Sequence, residues 1–303
     1  MDRLKAMQAF VRIVEANSYT KAAETLDLPR AALTATIKKL EAFLGTQLLQ
    51  RTTRRLSLTP DGADYFQQCL EILQAVEDAE GRFRGAAAGQ PRGKLRVELP
   101  GALGRNVVMP HIAAFCRRYP EVDLAISLSE RVRDLTAEGL DCALRVGALP
   151  DSAMVARRLG NMAFLTCAAP AYLKAHGKPK TLADLHAHRG ILHFSGRTGR
   201  PYDWDFVVDG SVVRTDVRGA IAVNDADANV SCALQGLGLA QAARYQVRQH
   251  LASGALVEVL AATPPTPMPI SLLYPQGRMG SPRLKVFADW LAALLLADPD
   301  LQA

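Results

Sequence analysis

Residues 20–44 read TKAAETLDLPRAALTATIKKLEAFL, and this stretch decides the fold of the N-terminal part of the chain. Leu26-Asp27-Leu28 forms a tight turn between two short helices. Pro29 fits a first helical position, since its fixed φ suits a helix start and its missing N–H would have no partner there, so the second helix is predicted to begin at Pro29. Leu33, Ile37, Leu40 and Leu44 then recur on one helical face, which must be buried. The opposite face carries Ala31, Thr34, Ala35, Lys38 and Lys39 and is small, hydroxylic and basic. Ala22 and Ala23, with Leu26, let the preceding helix cross closely and steeply, the arrangement of a helix-turn-helix. The second helix is then shaped to enter a DNA major groove.

Outward from this pair, residues 2–17 form a helix expected to bury Leu4, Met7, Phe10, Val11 and Val14. Thr20 is the expected N-cap of the helix starting at Lys21. Gly45 reads as a left-handed C-cap, and residues 48–58 alternate as two strands around Thr53-Arg54, a basic wing. A solvated hairpin is the competing reading. Thr59-Pro60-Asp61 combines a capping hydroxyl, a first-turn proline and an acid at the positive helix end, and a long helix is predicted from there to about Phe83. Its apolar stripe of Phe66, Cys69, Leu70, Leu73, Val76 and Phe83 suits a partner helix from a second chain, with packing on its own domain as the alternative.

The 303 residues carry a net charge of +6, unevenly placed. Residues 1–60 hold ten Lys/Arg against five Asp/Glu, while the other 243 hold 26 against 25. A polyanion partner for the N-terminal fifth follows, because Lys and Arg that neutralise phosphates supply most non-specific DNA affinity. An apolar content of 49% describes a globular chain with cores, and no apolar run is long enough to span a bilayer. The N-terminus reads as an amphipathic helix rather than an export signal, so a cytoplasmic protein is expected. Five cysteines without a C-x-x-C pair do not form a disulfide framework.

Residues 85–93, GAAAGQPRG, read as a flexible hinge. Beyond them strands alternate with helices. Strands are predicted at 95–99, 124–128, 142–146, 164–168, 191–194, 204–208, 212–217, 221–223, 237–240 and 270–274. Helices are predicted at 105–118, 135–139, 170–176, 226–234, 245–251 and 282–296. This alternation implies α/β layers with largely parallel sheets. Whether there is one sheet or two lobes does not follow from it.

Ala22-Ala23, Leu28, Ala32, Ile37, Leu40-Glu41, Gly45, Leu49-Gln50-Arg51-Thr52 and Leu58-Thr59-Pro60-Asp61-Gly62 together resemble the winged helix-turn-helix of LysR-type transcriptional regulators. The resemblance continues through Arg96, Pro100, Gly104-Arg105, Arg118-Tyr119-Pro120, Leu144-Arg145-Val146-Gly147, Leu149-Pro150-Asp151-Ser152, Arg157-Arg158-Leu159-Gly160, Pro170-Ala171-Tyr172-Leu173 and Asp289-Trp290-Leu291, and so covers the whole chain. It implies a DNA-binding domain (1–60), a dimerisation helix (61–84), a hinge (85–93) and a regulatory domain (94–303). That last domain would be two-lobed, like periplasmic binding proteins, with lobe 1 at 94–164 and 269–303 and lobe 2 at 165–268. The implied partners are operator DNA, a small-molecule effector in the interlobe cleft and further copies of the chain as a dimer or tetramer, with RNA polymerase compatible as well. No cofactor is implied.

For DNA, the expected contacts are Thr20, Lys21, Arg30, Ala31, Thr34, Ala35 and Lys38, with Arg51, Arg54 and Arg55 of the wing on the backbone or in a minor groove. The chain departs from the family pattern of an opening Ser-Gln pair and an Arg after the mid-helix Ser; it has Pro29-Arg30 and Thr34-Ala35. Ala35 cannot read guanine bidentately as an arginine does, so Arg30 is the candidate for that role. For the effector, strand ends and helix N-termini at the cleft point to Pro100, Gly101, Ala102, Leu103, Gly104, Ser129, Glu130, Arg131, Gly147, Phe194, Ser195, Asn224 and Asp225. Gly101-Ala102 stand where many family members carry a hydroxyl, which argues against a carboxylate effector held by that group. Asn224 and Asp225 also read as helix caps. Phe66, Leu70, Leu73 and Val76 are the expected dimer contacts.

Other classes lack their signatures. His186, His188 and His193 have no acidic or cysteine company for a metal, Gly236-Leu237-Gly238-Leu239 lacks the third glycine of a dinucleotide loop, and no G-x-S-x-G or Walker loop occurs. An enzyme or an exported solute-binding protein on the same lobes is therefore not expected. A redox-responsive regulator would have to use Cys167 and Cys232.

Overall fold

The computed structural model describes the chain except at residues 52–55, 89–90, 130–134, 136–137, 150–153, 197, 279 and 303; at 51, 74, 77, 78, 81–88, 220 and 277 it describes the backbone alone. Two compact units are present, one built on residues 1–89 and one on 90–135, 140–279 and 283–303.

The first unit comprises α1 (Arg3–Ala16), α2 (Tyr19–Thr25), α3 (Arg30–Leu44), an antiparallel pair β1 (Leu49–Arg51) and β2 (Leu56–Leu58), and α4 (Pro60–Ala88). Its core joins Ala6, Phe10 and Ile13 of α1, Ala22 of α2, Leu33, Ile37 and Leu40 of α3, Leu48, and Cys69 of α4. The buried set on α1 is thus 6, 9, 10, 11 and 13, where two alanines let the helices close up. Leu4, expected inside, lies off that face and is 40% exposed.

Three helix ends differ from the sequence reading by one or more residues. Ser18, not Thr20, caps α2, accepting from the Lys21 N–H at 3.3 Å. Pro29 stays extended (φ −60°, ψ 135°) and is the N-cap position of α3, which starts at Arg30. α4 runs on to Ala88 through the predicted hinge, because Ala86, Ala87 and Ala88 are strong helix formers. The turn between α2 and α3 places Asp27 at φ 52°, a left-handed conformation that Asp tolerates, and returns the Leu28 N–H to the Ala23 carbonyl at 3.0 Å. Gly45 closes α3 at φ 72°, as its sequence position implied.

The second unit holds two five-stranded sheets of matching design. The first has the order β4 (Val122–Leu128), β3 (Gly93–Leu99), β5 (Cys142–Val146), β14 (Met268–Pro275), β6 (Met154–Met162). The second has the order β11 (Arg218–Val223), β8 (Arg189–His193), β12 (Leu239–Ala243), β7 (Phe164–Ala168), β13 (Val257–Val259). In each, four strands run in one direction and one runs against them, β14 in the first sheet and β7 in the second, so the sheets are largely parallel in strand direction although two of the four pairings in each are antiparallel. The reversed strand is in each case the one the chain enters on passing between sheets, from β6 into β7 and from β13 into β14. β6 and β13 escaped the sequence reading, and β12 begins at Leu239 rather than 237.

Around the first sheet, lobe 1, pack α5 (Gly101–Leu103), a π-turn at Gly104–Val108, α6 (Ile112–Arg118) and α10 (Pro282–Leu296), whose Leu284, Phe287, Leu291 and Leu295 are buried against β3, β5 and β14. The second sheet, lobe 2, carries α7 (Pro170–His176), α8 (Ala226–Leu234), α9 (Arg244–Ala252) and the hairpin β9 (Trp204–Val208) and β10 (Ser211–Thr215). The helix expected at 135–139 is turn where described, at Leu135 and Glu138-Gly139.

Candidate functional site

The outer face of α3 carries Arg30, Ala31, Ala35, Lys38 and Lys39 fully exposed and Thr34 half-buried. The first four of that face and Thr34 border a shallow concavity of about 600 Å³ at Arg30, Ala31, Thr34, Ala35 and Lys38. Among the described residues none forms an ion pair with Arg30, Lys38 or Lys39, so these cations are free for phosphates or base edges. A second hollow, lined by Tyr19, Thr34, Lys38, Gln47 and Gln50, joins α3 to the root of the wing. Thr20 and Lys21 are exposed beside it. Arg51 lies on β1, and Arg54 and Arg55 fall outside the described residues.

Two residues fix the wing to α3. Glu41 accepts from the Leu48 and Leu49 N–H groups at 2.9 and 3.2 Å, so the helix that carries the basic face also holds the start of β1. Thr59 donates to the Gln47 carbonyl at 2.6 Å and accepts from the Gly62 N–H at 2.8 Å, capping α4. A Cβ at Gly62 would stand 1.9 Å from the Leu48 carbonyl oxygen, so only glycine allows α4 this close to the wing. The sequence reading missed the role of Glu41, whose spacing gives no clue to a partner seven residues on.

The expected dimer contacts are partly used within the chain. Phe66, Leu70 and Leu73 pack against the core of their own unit, with Phe66 edge-on to Phe10 at 6.3 Å. They lie on the face that α4 turns to α1, so this part of the stripe packs on its own unit. Val76 is half-buried and Ile72, on another face, is 39% exposed.

In the second unit the proposed effector residues divide. Gly101, Ala102, Leu103 and Gly104 are buried, and Leu103 is part of the lobe 1 core. A Cβ on Gly104 would meet Leu128 at 2.5 Å. Pro100, Ser129, Gly147, Phe194 and Ser195 are half-buried and Asn224 is exposed. Glu130 and Arg131 fall outside the described residues. Asp225 caps α8, accepting from the Ala228 N–H at 2.8 Å.

Asp225 also reaches across to lobe 1, in company that the sequence reading missed. Arg105 Nη2 lies 3.2 Å from Asp225 and 2.6 Å from Asp227, and Arg105 Nε is 3.0 Å from Asp227. Asn106 and Gln246 donate to the other Asp227 oxygen, each at 3.0 Å. Partial burial pushes the Asp227 carboxyl up, but the donors Arg105, Asn106 and Gln246 outweigh it and hold the group below its ordinary value.

Deeper in lobe 1, Glu98 and Arg145 form an ion pair between β3 and β5, both nearly inaccessible, and Arg145 also donates to the Leu144 carbonyl at 3.1 Å. His188 is buried against the Tyr172 hydroxyl at 3.2 Å, and burial, with His176 nearby, lowers its pKa. His186 is exposed and His193 lies edge-on to Tyr202. Cys167 and Cys232 sit in one apolar cluster, and burial pushes the Cys167 thiol up to about 12, away from the thiolate that redox chemistry needs. Among the described residues no group of three or more His, Cys, Asp or Glu is arranged for a metal, and no helix is long and apolar enough to cross a membrane.

A winged helix-turn-helix with a free basic face, followed by a two-lobed α/β unit, defines a class of DNA-binding regulator. Residues 4–63 match the family of bacterial regulatory helix-turn-helix proteins of the lysR type, and residues 88–295 match the LysR substrate binding domain. The chain is 36% identical to the uncharacterized HTH-type transcriptional regulator YhjC of Escherichia coli, over 97% of this chain and 98% of that protein. It is also 36% identical to an HTH-type transcriptional repressor of Pseudomonas aeruginosa, over all of this chain and 95% of the repressor. Among solved structures it resembles CrgA, a LysR-type transcriptional regulator from Neisseria meningitidis (31% identity, 95% and 97% of the two chains, TM-score 0.61). The full-length Vibrio cholerae virulence activator AphB is similar too (26% identity, 96% and 98%, TM-score 0.59). The chain belongs to the LysR family of DNA-binding transcriptional regulators.

Proposed function

We propose that this regulator reads its operator with Arg30, Ala31, Thr34, Ala35 and Lys38, and that a small-molecule effector between the lobes sets the geometry in which it holds DNA. The observation that carries the first part is the cationic face of α3 beside the wing, unpaired among the described residues. Arg30, at the first turn of the helix, reads guanine, and the Ala31 and Ala35 methyls suit thymine. Lys38, a turn further, serves phosphate. The wing residues Arg51, Arg54 and Arg55 add backbone contacts. Two copies joined through α4, with Ile72 and Val76 in the joint, match a two-fold symmetric site. The effector binds one lobe geometry better than the other, as linkage requires, against Pro100, Ser129, Gly147, Phe194, Ser195 and Asn224.

The test is a fluorescence titration of the DNA upstream of the protein's own gene against scrambled DNA at two salt concentrations. The native fragment should bind about 10³-fold tighter or more. Arg30→Ala should lower affinity by about 1–3 kcal/mol and relax selectivity at one base pair, whereas Lys38→Ala should weaken all sequences alike and reduce the salt slope by about 1. Equal affinity of wild type and both variants for every fragment would overturn the assignment of α3.

A further inference from the structure

The cluster around Asp227 is asymmetric in a way that matters. Asp225 is the N-cap of α8 and Asp227 lies in its first turn, where the N–H groups of the helix favour them, and Asp225 keeps its cap on Ala228 with no help from lobe 1. Asp227 also keeps Gln246, from α9 of its own lobe. Arg105 and Asn106, by contrast, have partners only in lobe 2 among the described residues. A cation at the start of a helical segment gains nothing from that segment's dipole. Among the described residues, every hydrogen bond and ion pair of these two side chains therefore depends on the lobes being together.

The linkage is also open to water. The Arg105 and Asp227 side chains are 45% and 38% exposed, so solvent screens their attraction, and separating them costs little because water replaces each contact. Strong buried pairs lock a structure; screened ones with good geometry bias it.

We propose that Arg105 and Asn106 of lobe 1 and Asp225 and Asp227 of lobe 2 form a latch that sets the opening of the interlobe cleft. Its partners on lobe 2 stay satisfied when it opens, so the latch has two stable arrangements, bridged and parted. Its consequence for DNA rests on the cleft-controlled geometry proposed above, but its existence does not.

The test uses the full-length chain. Cys116 is exposed on α6, whereas the other four cysteines are buried, so one spin label placed there and one at Ser211→Cys on β10 report the distance between lobes. Dilution with unlabelled chain keeps the reading within one molecule. Arg105→Gln should move the population toward longer distances by roughly fivefold or more. Arg105→Lys, which keeps a cation facing Asp225 and Asp227, should stay closer to the wild-type distribution than Arg105→Gln does. An unchanged distribution in Arg105→Gln and in Asp227→Asn, with unfolding curves like wild type, would overturn the latch, and so would a shift in Arg105→Lys as large as in Arg105→Gln. No DNA or effector enters the measurement, so its failure is separate from a failure of the operator titration.

Discussion

Two arginines tie the lobes together, and each ends on an Asp-x-Asp sequence of the opposite lobe. Arg105 of lobe 1 meets Asp225-Ala226-Asp227, and Arg248 of lobe 2 meets Asp298-Pro299-Asp300. The charges are alike; the backing is not. Behind the second pair Leu301 is fully buried in the lobe 1 core, the Ala163 N–H donates to the Asp300 carbonyl at 2.9 Å, and Gln302 bridges to Asn161. Ala243 and Tyr245 of lobe 2 pack on the same core. Behind the first pair stand the Ala228 N–H, which caps Asp225 within lobe 2, and the side-chain donors Asn106 and Gln246. Helix α9 serves both, since Gln246 and Arg248 are two residues apart and so point to nearly opposite sides. The same motif thus makes a hinge where apolar packing and backbone hydrogen bonds support it, and a latch where they do not.

The largest test of that contrast removes the backing. Leu301→Ala should destabilise the chain by about 2–5 kcal/mol in urea unfolding, the cost of emptying a buried leucine site. Next comes Arg248→Ala, expected at about 1 kcal/mol because Asp300 and Asp298 are only 13% and 20% exposed. Arg105→Ala should cost about 0.5 kcal/mol or less in the same assay, its effect appearing in lobe separation instead. Equal stability losses for the two arginine variants would erase the distinction between hinge and latch.

Much of the fold was legible because it is local. Pro170–His176, Ala226–Leu234 and Pro282–Leu296 begin and end where proline, capping aspartate and apolar period place them. The basic face of α3 follows from 3.6-residue spacing. β6 was missed because an edge strand tolerates charge, and Arg157-Arg158 masks the alternation that marks a half-buried strand. The latch was illegible for a different reason. Arg105 and Asp227 are 122 positions apart, and each alone reads as an ordinary solvated charge on a helix; Asp225 was legible only as a cap. Pairing of this kind is a property of topology, and the order of the two passages between sheets came from family resemblance rather than periodicity.

The smallest expected effect is also the most selective. The folded-state pKa of Asp227 lies below its ordinary value near 3.8, so its contribution is present above that value and is lost only as pH falls through the lower folded one. Arg105 stays charged throughout. The interlobe distance should therefore be the same at pH 5 and pH 8. Salt should act instead: raising ionic strength from 0.1 to 1 M shortens the screening length from about 10 Å to about 3 Å, and a half-exposed latch should part toward the Arg105→Gln distribution. The hinge, held by Leu301 and backbone hydrogen bonds, should not respond. Opening at pH 5 with no response to salt would assign control to another titrating group and would take it away from the Arg105–Asp227 pair.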